Sequence, residues 1–260
     1  MSNWLKLKFL TLQAVCTALL LSGTSAIADS SKVSGTVAFD FNTHFVSYGV
    51  DVWGPGSDWK DALFNPLINF DIDLGGGWTT SLGTWWDVNN NVPSAIGGSI
   101  QEVDVWAGLG YSSGKWGFSL TYQEWYYAAD VERILDFGVS YDGFLSPSVT
   151  FHGRVEGNGA QDTGLATVIG ISEGIDFDGW SLSFPAAIGL FTTDFQGGQG
   201  GFGFFSVGAQ ASWPISFLGE GYGDWSFNTG LTFYHTDKDV IPGNTDADFI
   251  TGNFGVSINF

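Results

Sequence analysis

Phe254-Gly255-Val256-Ser257-Ile258-Asn259-Phe260 closes the chain with a strict alternation of apolar and small or polar residues. A period of two puts Phe254, Val256, Ile258 and Phe260 on one face of a strand and Gly255, Ser257 and Asn259 on the other. At the end of a soluble domain such a strand would be an unprotected apolar sheet edge. A closed barrel in a membrane has no such edge. There the last strand pairs with the first, and its apolar face meets lipid.

The same seven residues resemble the C-terminal signature of Gram-negative outer-membrane β-barrels. That resemblance implies that Phe254, Val256, Ile258 and Phe260 are read by the barrel-assembly machinery. The other end of the chain agrees. Lys6 and Lys8 precede a mostly apolar run from Phe9 to Leu21, and Ala26-Ile27-Ala28 fits a small-residue cleavage site. Residues 1–28 read as a cleaved signal peptide, too short for a comfortable transmembrane helix, and residues 29–260 as the exported barrel. Cys16 is the only cysteine and lies inside the signal segment, so disulfide scaffolds and thiolate metal sites are excluded from the exported part.

Composition narrows the class further. Residues 1–28 hold two of the eight Lys and Arg and no acid, so residues 29–260 carry six bases against 27 acids, a formal charge of −21. Such a surface repels nucleic acid and anionic lipid headgroups. Only 13% of residues are charged, with 38 Gly, 23 Phe, 12 Trp and 8 Tyr. Globular proteins average about 25% charged residues. No stretch after the signal segment reaches the ~18 apolar residues of a helical span.

Alternating segments of the length a tilted membrane strand needs recur along the chain. The clearest are Val33–Asn42, Phe64–Ile72, Trp78–Asp87, Glu102–Leu109, Trp116–Tyr122, Leu135–Tyr141, Val149–Glu156 and Trp225–Phe233. Weaker ones lie near residues 165–175, 180–192 and 202–214. With the terminal strand, the expected fold is an all-β, transmembrane, antiparallel up-and-down β-barrel of about twelve strands, with ten as the alternative count. Gly75-Gly76-Gly77, Ser112-Ser113-Gly114-Lys115, Asp142-Gly143 and Phe177-Asp178-Gly179 read as short turns. Longer loops fall near 49–62, 89–100, 157–163, 193–201 and 236–248.

Trp78, Trp116, Trp180 and Trp225 each re-enter the chain just after a turn. An indole suits a membrane interface, so these four predict an aromatic girdle at the periplasmic end. Trp53, Trp59, Trp86, Trp125, Tyr126 and Tyr127 fall near the opposite strand ends and predict an outer girdle.

With Phe and Val facing lipid, the other face lines the lumen. Strand parity places Asp40, Asp71, Asp87, Asp104, Asp136, Arg154 and Glu156 there, with Asp73, Glu102 and His152 among them. Arg133 falls on the apolar face near a strand end. Trp85 and Trp106 point inward and are candidates for a constriction. A twelve-strand barrel has room for a passage, and this lining suits passive diffusion of small polar or cationic solutes. The alternatives are a self-packed, non-conducting structural or binding barrel and a lipid-acting barrel enzyme. No Gly-x-Ser-x-Gly or His-Glu-x-x-His pattern occurs, and the Asp-rich segment 237–248 lacks calcium-loop spacing. No catalytic residue, metal site or cofactor is expected. The expected partners are outer-membrane lipid, the assembly machinery and small solutes.

The chain also resembles the TorF-like porin family over most of its exported part. The resemblance rests on Val33-Ser34-Gly35-Thr36-Val37-Ala38, Ser47-Tyr48-Gly49-Val50 and Val103-Asp104-Val105-Trp106-Ala107-Gly108. The Arg-Gly pair usual after that family's first strand is missing between His44 and Gly49. The resemblance implies a pore in the outer membrane.

Overall fold

A computed structural model describes residues 32–260 apart from 54–58, 159–161 and 219–220. The signal segment, 1–28, lies outside the described residues.

Twelve strands close into one antiparallel barrel. In chain order they are β1 (Val33–Asn42), β4 (Leu63–Gly75), β5 (Trp78–Val88), β6 (Ile100–Ser113), β7 (Trp116–Tyr127), β8 (Asp130–Tyr141), β9 (Ser148–Glu156), β10 (Gly164–Phe177), β11 (Trp180–Phe191), β12 (Gly201–Pro214), β13 (Asp224–Thr236) and β14 (Asp248–Asn259). A two-stranded hairpin, β2 (Val46–Ser47) and β3 (Val50–Asp51), sits between β1 and β4 in sequence and forms its own small sheet. Consecutive barrel strands pair throughout, and β1 closes the ring by pairing with both β4 and β14.

Closure occurs where the sequence pattern places it. Gly35 and Phe260 exchange both backbone hydrogen bonds, at 2.8 and 3.0 Å. A Cβ on Gly35 would lie 2.6 Å from Phe260 Cζ, so only glycine seats that ring. Two-residue turns at Gly114-Lys115 and Asp178-Gly179 connect β6 to β7 and β10 to β11, with Gly114 and Gly179 at positive φ. The start of β1 and the end of β14 both lie at this turn end, because Val33 pairs with Ile72 and Thr36 with Asn259. The β8–β9 connection, read as a short turn at Asp142-Gly143, spans residues 142–147 instead. At the loop end, β7 and β8 are joined tightly through Ala128-Ala129.

The outward face is a continuous apolar belt. Phe39, Phe70, Leu82, Leu120, Phe137, Ile188, Leu231 and Phe254 are all exposed on it. A belt of this size on every strand is stable only against lipid. Trp78, Trp116, Trp180 and Trp225 line the turn end, where Trp180 stacks on Phe177, Trp116 meets Tyr141 edge-on and Trp78 packs at a tilt against Tyr111. Among the described residues no helix is long and apolar enough to cross a membrane; the strands do the crossing. The molecule is an outer-membrane-type β-barrel.

The opposite girdle is only partly as expected. Trp59 and Trp86 are exposed, and Trp59 packs at a tilt against Phe254. Trp125 is 2% exposed and points inward. Tyr127 and Trp53 also turn inward, toward Glu102 and Asp87.

Candidate functional site: the barrel lumen

Alternation carries the carboxylates of β1 and β4–β8 into the lumen. Seven of these are buried among the described residues, Asp40, Asp71, Asp87, Glu102, Asp104, Glu132 and Asp136, and Asp51 on β3 is an eighth buried acid. Arg154 is the buried guanidinium, and its Nε donates to Glu132 Oε2 at 2.6 Å. Burying charge is costly without a partner, so the remaining acids recruit neutral donors. Asp87 accepts from Trp53 Nε1 at 2.8 Å, Asn89 Nδ2 at 2.9 Å and Asn65 Nδ2 at 3.2 Å. Asp136 accepts from Gln123 Nε2 and lies 2.7 Å from His152 Nδ1. Asp71 accepts from Asn69 Nδ2.

The acid wall has a neutral opposite. Between the rims, the described inward residues of β10–β14 are uncharged: Ala166, Val168, Ser183, Ser206, Gln210, Thr232 and Asn253 among them. The lumen is therefore acidic on the β1 and β4–β8 side and neutral across β10–β14, with His152 and Arg154 of β9 between them.

Two expectations about the lining are corrected. Glu156 is not in the lumen. The β8–β9 register slips between Arg133 and Ile134, leaving Val155 bulged, and a one-residue slip reverses facing. Glu156 consequently meets Arg133 on the outer face, where Arg133 also bonds Glu124. Trp85 and Trp106 do not form a constriction across an open passage. Trp106 lies flat on the wall over Gly83, where a Cβ would be 2.2 Å from its Cζ2, and its Nε1 donates to Asn69 Oδ1 at 3.0 Å. Trp85 packs under Phe45, with ring centroids 4.9 Å apart.

What narrows the lumen is loop, not wall. The β2–β3 hairpin folds inside the loop end and meets residues 192–200 and 237–247. Tyr48, Trp125, Ile134, Phe195, Phe204, Tyr234 and Ile241 form an apolar core there, each at most 2% exposed. Tyr48 and Gly49 form the hairpin tip, both at positive φ, which is uncommon for a tyrosine. That turn drives the Tyr48 ring onto His152, with centroids 3.9 Å apart and its hydroxyl hydrogen-bonded to His152 Nδ1. Gln196 Nε2 donates to Ser47 O, and Asn244 Nδ2 donates to Gly49 O at 2.8 Å, so the loops hold one another. His152 faces this interior and is fully buried. The apolar core thus closes the loop end of the passage expected from the lining.

Sequence reasoning missed Glu132, Asp51, Tyr48 and Trp53 as lumen groups. Glu132 continues the inward parity of Asp136, four residues upstream of it. The apolar residues Phe45-Val46, Phe195 and Val240-Ile241, inside otherwise polar loops, were the signal that those loops fold inward. Among the described residues no group of three or more His, Cys, Asp or Glu is arranged to hold a metal ion.

No protein-family model matches the chain, and no curated protein matches it in sequence. Among solved structures it is similar to OmpF of Salmonella typhi in complex with daunomycin, at 8% identity and a TM-score of 0.41 over 88% of this chain and 97% of that one. LpxR from Salmonella typhimurium gives 13% identity and a TM-score of 0.44 over 86% and 99%. The anion-selective porin from Comamonas acidovorans gives 9% and 0.35 over 88% and 98%. At these values the likeness assigns neither a solute nor an activity.

Proposed function

We propose that this chain is a porin-like channel for small polar or cationic solutes, exported after cleavage at Ala28, related to the TorF-like porins and without enzymatic activity. The observation that carries the reading is the acidic lumen wall, with seven buried carboxylates against one buried guanidinium. Such a wall lowers the energy of a cation in the passage and raises that of an anion. The turn-end half supports the reading, because Gly, Ser and Thr line it between the acids. The loop-end core then acts as a stopper, which lifts for conduction. His152, the inward histidine, lies beneath that stopper and away from lipid, which speaks against lipid chemistry at that residue.

A second reading is favoured by the apolar loop-end core itself: a non-conducting barrel that binds through its loops. Liposome swelling separates the two. Vesicles containing the refolded chain 29–260 are expected to admit lysine faster than serine, and serine faster than glutamate. Swelling no faster than in protein-free vesicles for all three would favour the non-conducting barrel. N-terminal sequencing of the mature protein tests the cleavage site, with Asp29 expected first.

A further inference from the structure

Asp104 sits in the middle of the acid wall with an unusual environment. It is 3% exposed; its side chain shares a hydrogen bond with Glu102, while its Oδ1 has no hydrogen-bond partner. Glu102, Glu132 and Asp87 are each near enough to act on it electrostatically. Of these four acids, Glu132 has Arg154, while Asp87 and Glu102 are met by the neutral donors Trp53, Asn65, Asn89 and Tyr127. Of the four, Asp104 alone keeps a buried oxygen that meets neither a donor nor a cation.

The wall around Asp104 specifies the kind of cation. Its direct cross-strand partners are Trp85 on β5 and Trp125 on β7. Directly opposed residues in antiparallel strands have Cβ atoms about 5 Å apart, so Asp104 is flanked by a tryptophan on each neighbouring strand. Carboxylate and indole together recognise ammonium groups, by charge and by the negative face of the ring. The hairpin segment covers this site with Phe45 on Trp85 and the Trp53 indole N–H on Asp87. Phe45 and Trp53 thus take up an indole face and a carboxylate of the kind an organic ammonium ion would contact.

We propose that Asp104, with Trp85 and Trp125, is a binding site for small organic ammonium ions, and that Phe45 and Trp53 occupy it as a displaceable stopper. The inference rests on the reading of the lumen as a solute path and names the solute class. Ligand and stopper compete, so binding opens the passage and a weaker stopper strengthens binding.

Calorimetric titration of the refolded barrel in detergent with tetramethylammonium chloride, against sodium chloride at equal ionic strength, tests this. The expected result is saturable binding that Asp104→Asn weakens at least tenfold and Trp53→Phe strengthens several-fold. Trp85→Leu is the second weakening variant, used if the Asp104 variant loses its heat-modifiable fold. Absence of binding in both the wild type and Trp53→Phe overturns the proposal, as does unchanged affinity in folded Asp104→Asn. Binding without conductance in bilayers would sink the channel reading and leave the site standing; conductance without binding would do the reverse.

Discussion

Gly83 has no side chain because Trp106 fills the space where one would be. The same pairing recurs across the barrel. Gln210 lies over Gly230, Phe204 over Gly189 and Asp40 over Gly255, each glycine being the cross-strand partner of the larger residue. Large inward side chains can therefore lie along the wall instead of crossing the lumen. The glycine count was visible in the sequence, but this role was not, because it depends on register between strands. Gly83→Val should push Trp106 off the wall and break its bond to Asn69, costing about 1–3 kcal/mol of stability. Urea unfolding of the refolded barrel measures this, and an unchanged midpoint would contradict the seating. Phe260→Ala removes the ring that rests on Gly35 and meets Phe70 edge-on, at a cost of about 1 kcal/mol from the aromatic contact. Slower appearance of the heat-modifiable band on refolding is expected as well.

At the scale of elements, the barrel strands and the stopper were legible to different degrees. A period of two is insensitive to boundary errors, so strands such as Val33–Asn42 were placed from alternation alone. The bulge at Val155 defeats the same logic, since one extra residue reverses the facing of Glu156. The inward hairpin has no periodic signature at all; its two strands are two residues each. Asn42 pairs directly with Leu63, so the barrel closes without the segment between them. Replacing residues 44–61 by a short Gly-Ser linker should leave a folded, heat-modifiable barrel with larger unit conductance than the wild type. A variant that folds and conducts no more than the wild type would show that the hairpin is not the stopper.

The hairpin region also carries a pH dependence. Burial holds His44 below its ordinary value of 6.5. The unfolded segment then binds a proton more readily than the packed one. Stability from this residue is complete above 6.5 and declines as the pH falls below it. Hydrogen exchange of the hairpin amides should accelerate on acidification from pH 7 to 5 beyond the intrinsic pH effect, and His44→Gln should abolish the excess.

For the whole molecule, the fold class was readable because membrane and barrel constrain the chain at every position: one face apolar, edges closed, aromatics at the interfaces. Ownership of the lumen was harder to read. Parity brought Asp40, Asp71, Asp87, Asp104 and Asp136 to one interior, yet could not show that loops from three places in the chain fill half of it. The acids nonetheless gather on one side of the ring, facing a neutral wall, and that asymmetry sets the charge preference the account assigns. Replacing Asp40, Asp71, Asp104 and Asp136 together by Asn should move the reversal potential in a salt gradient toward zero; an unmoved potential would detach selectivity from these residues.

The most direct test is single-channel recording of the refolded chain 29–260 in a planar bilayer under a potassium chloride gradient, beside the variant lacking residues 44–61. The account predicts discrete steps with a cation-selective reversal potential, rare in the wild type and frequent in the variant. Folded barrels of both kinds that never conduct would contradict it.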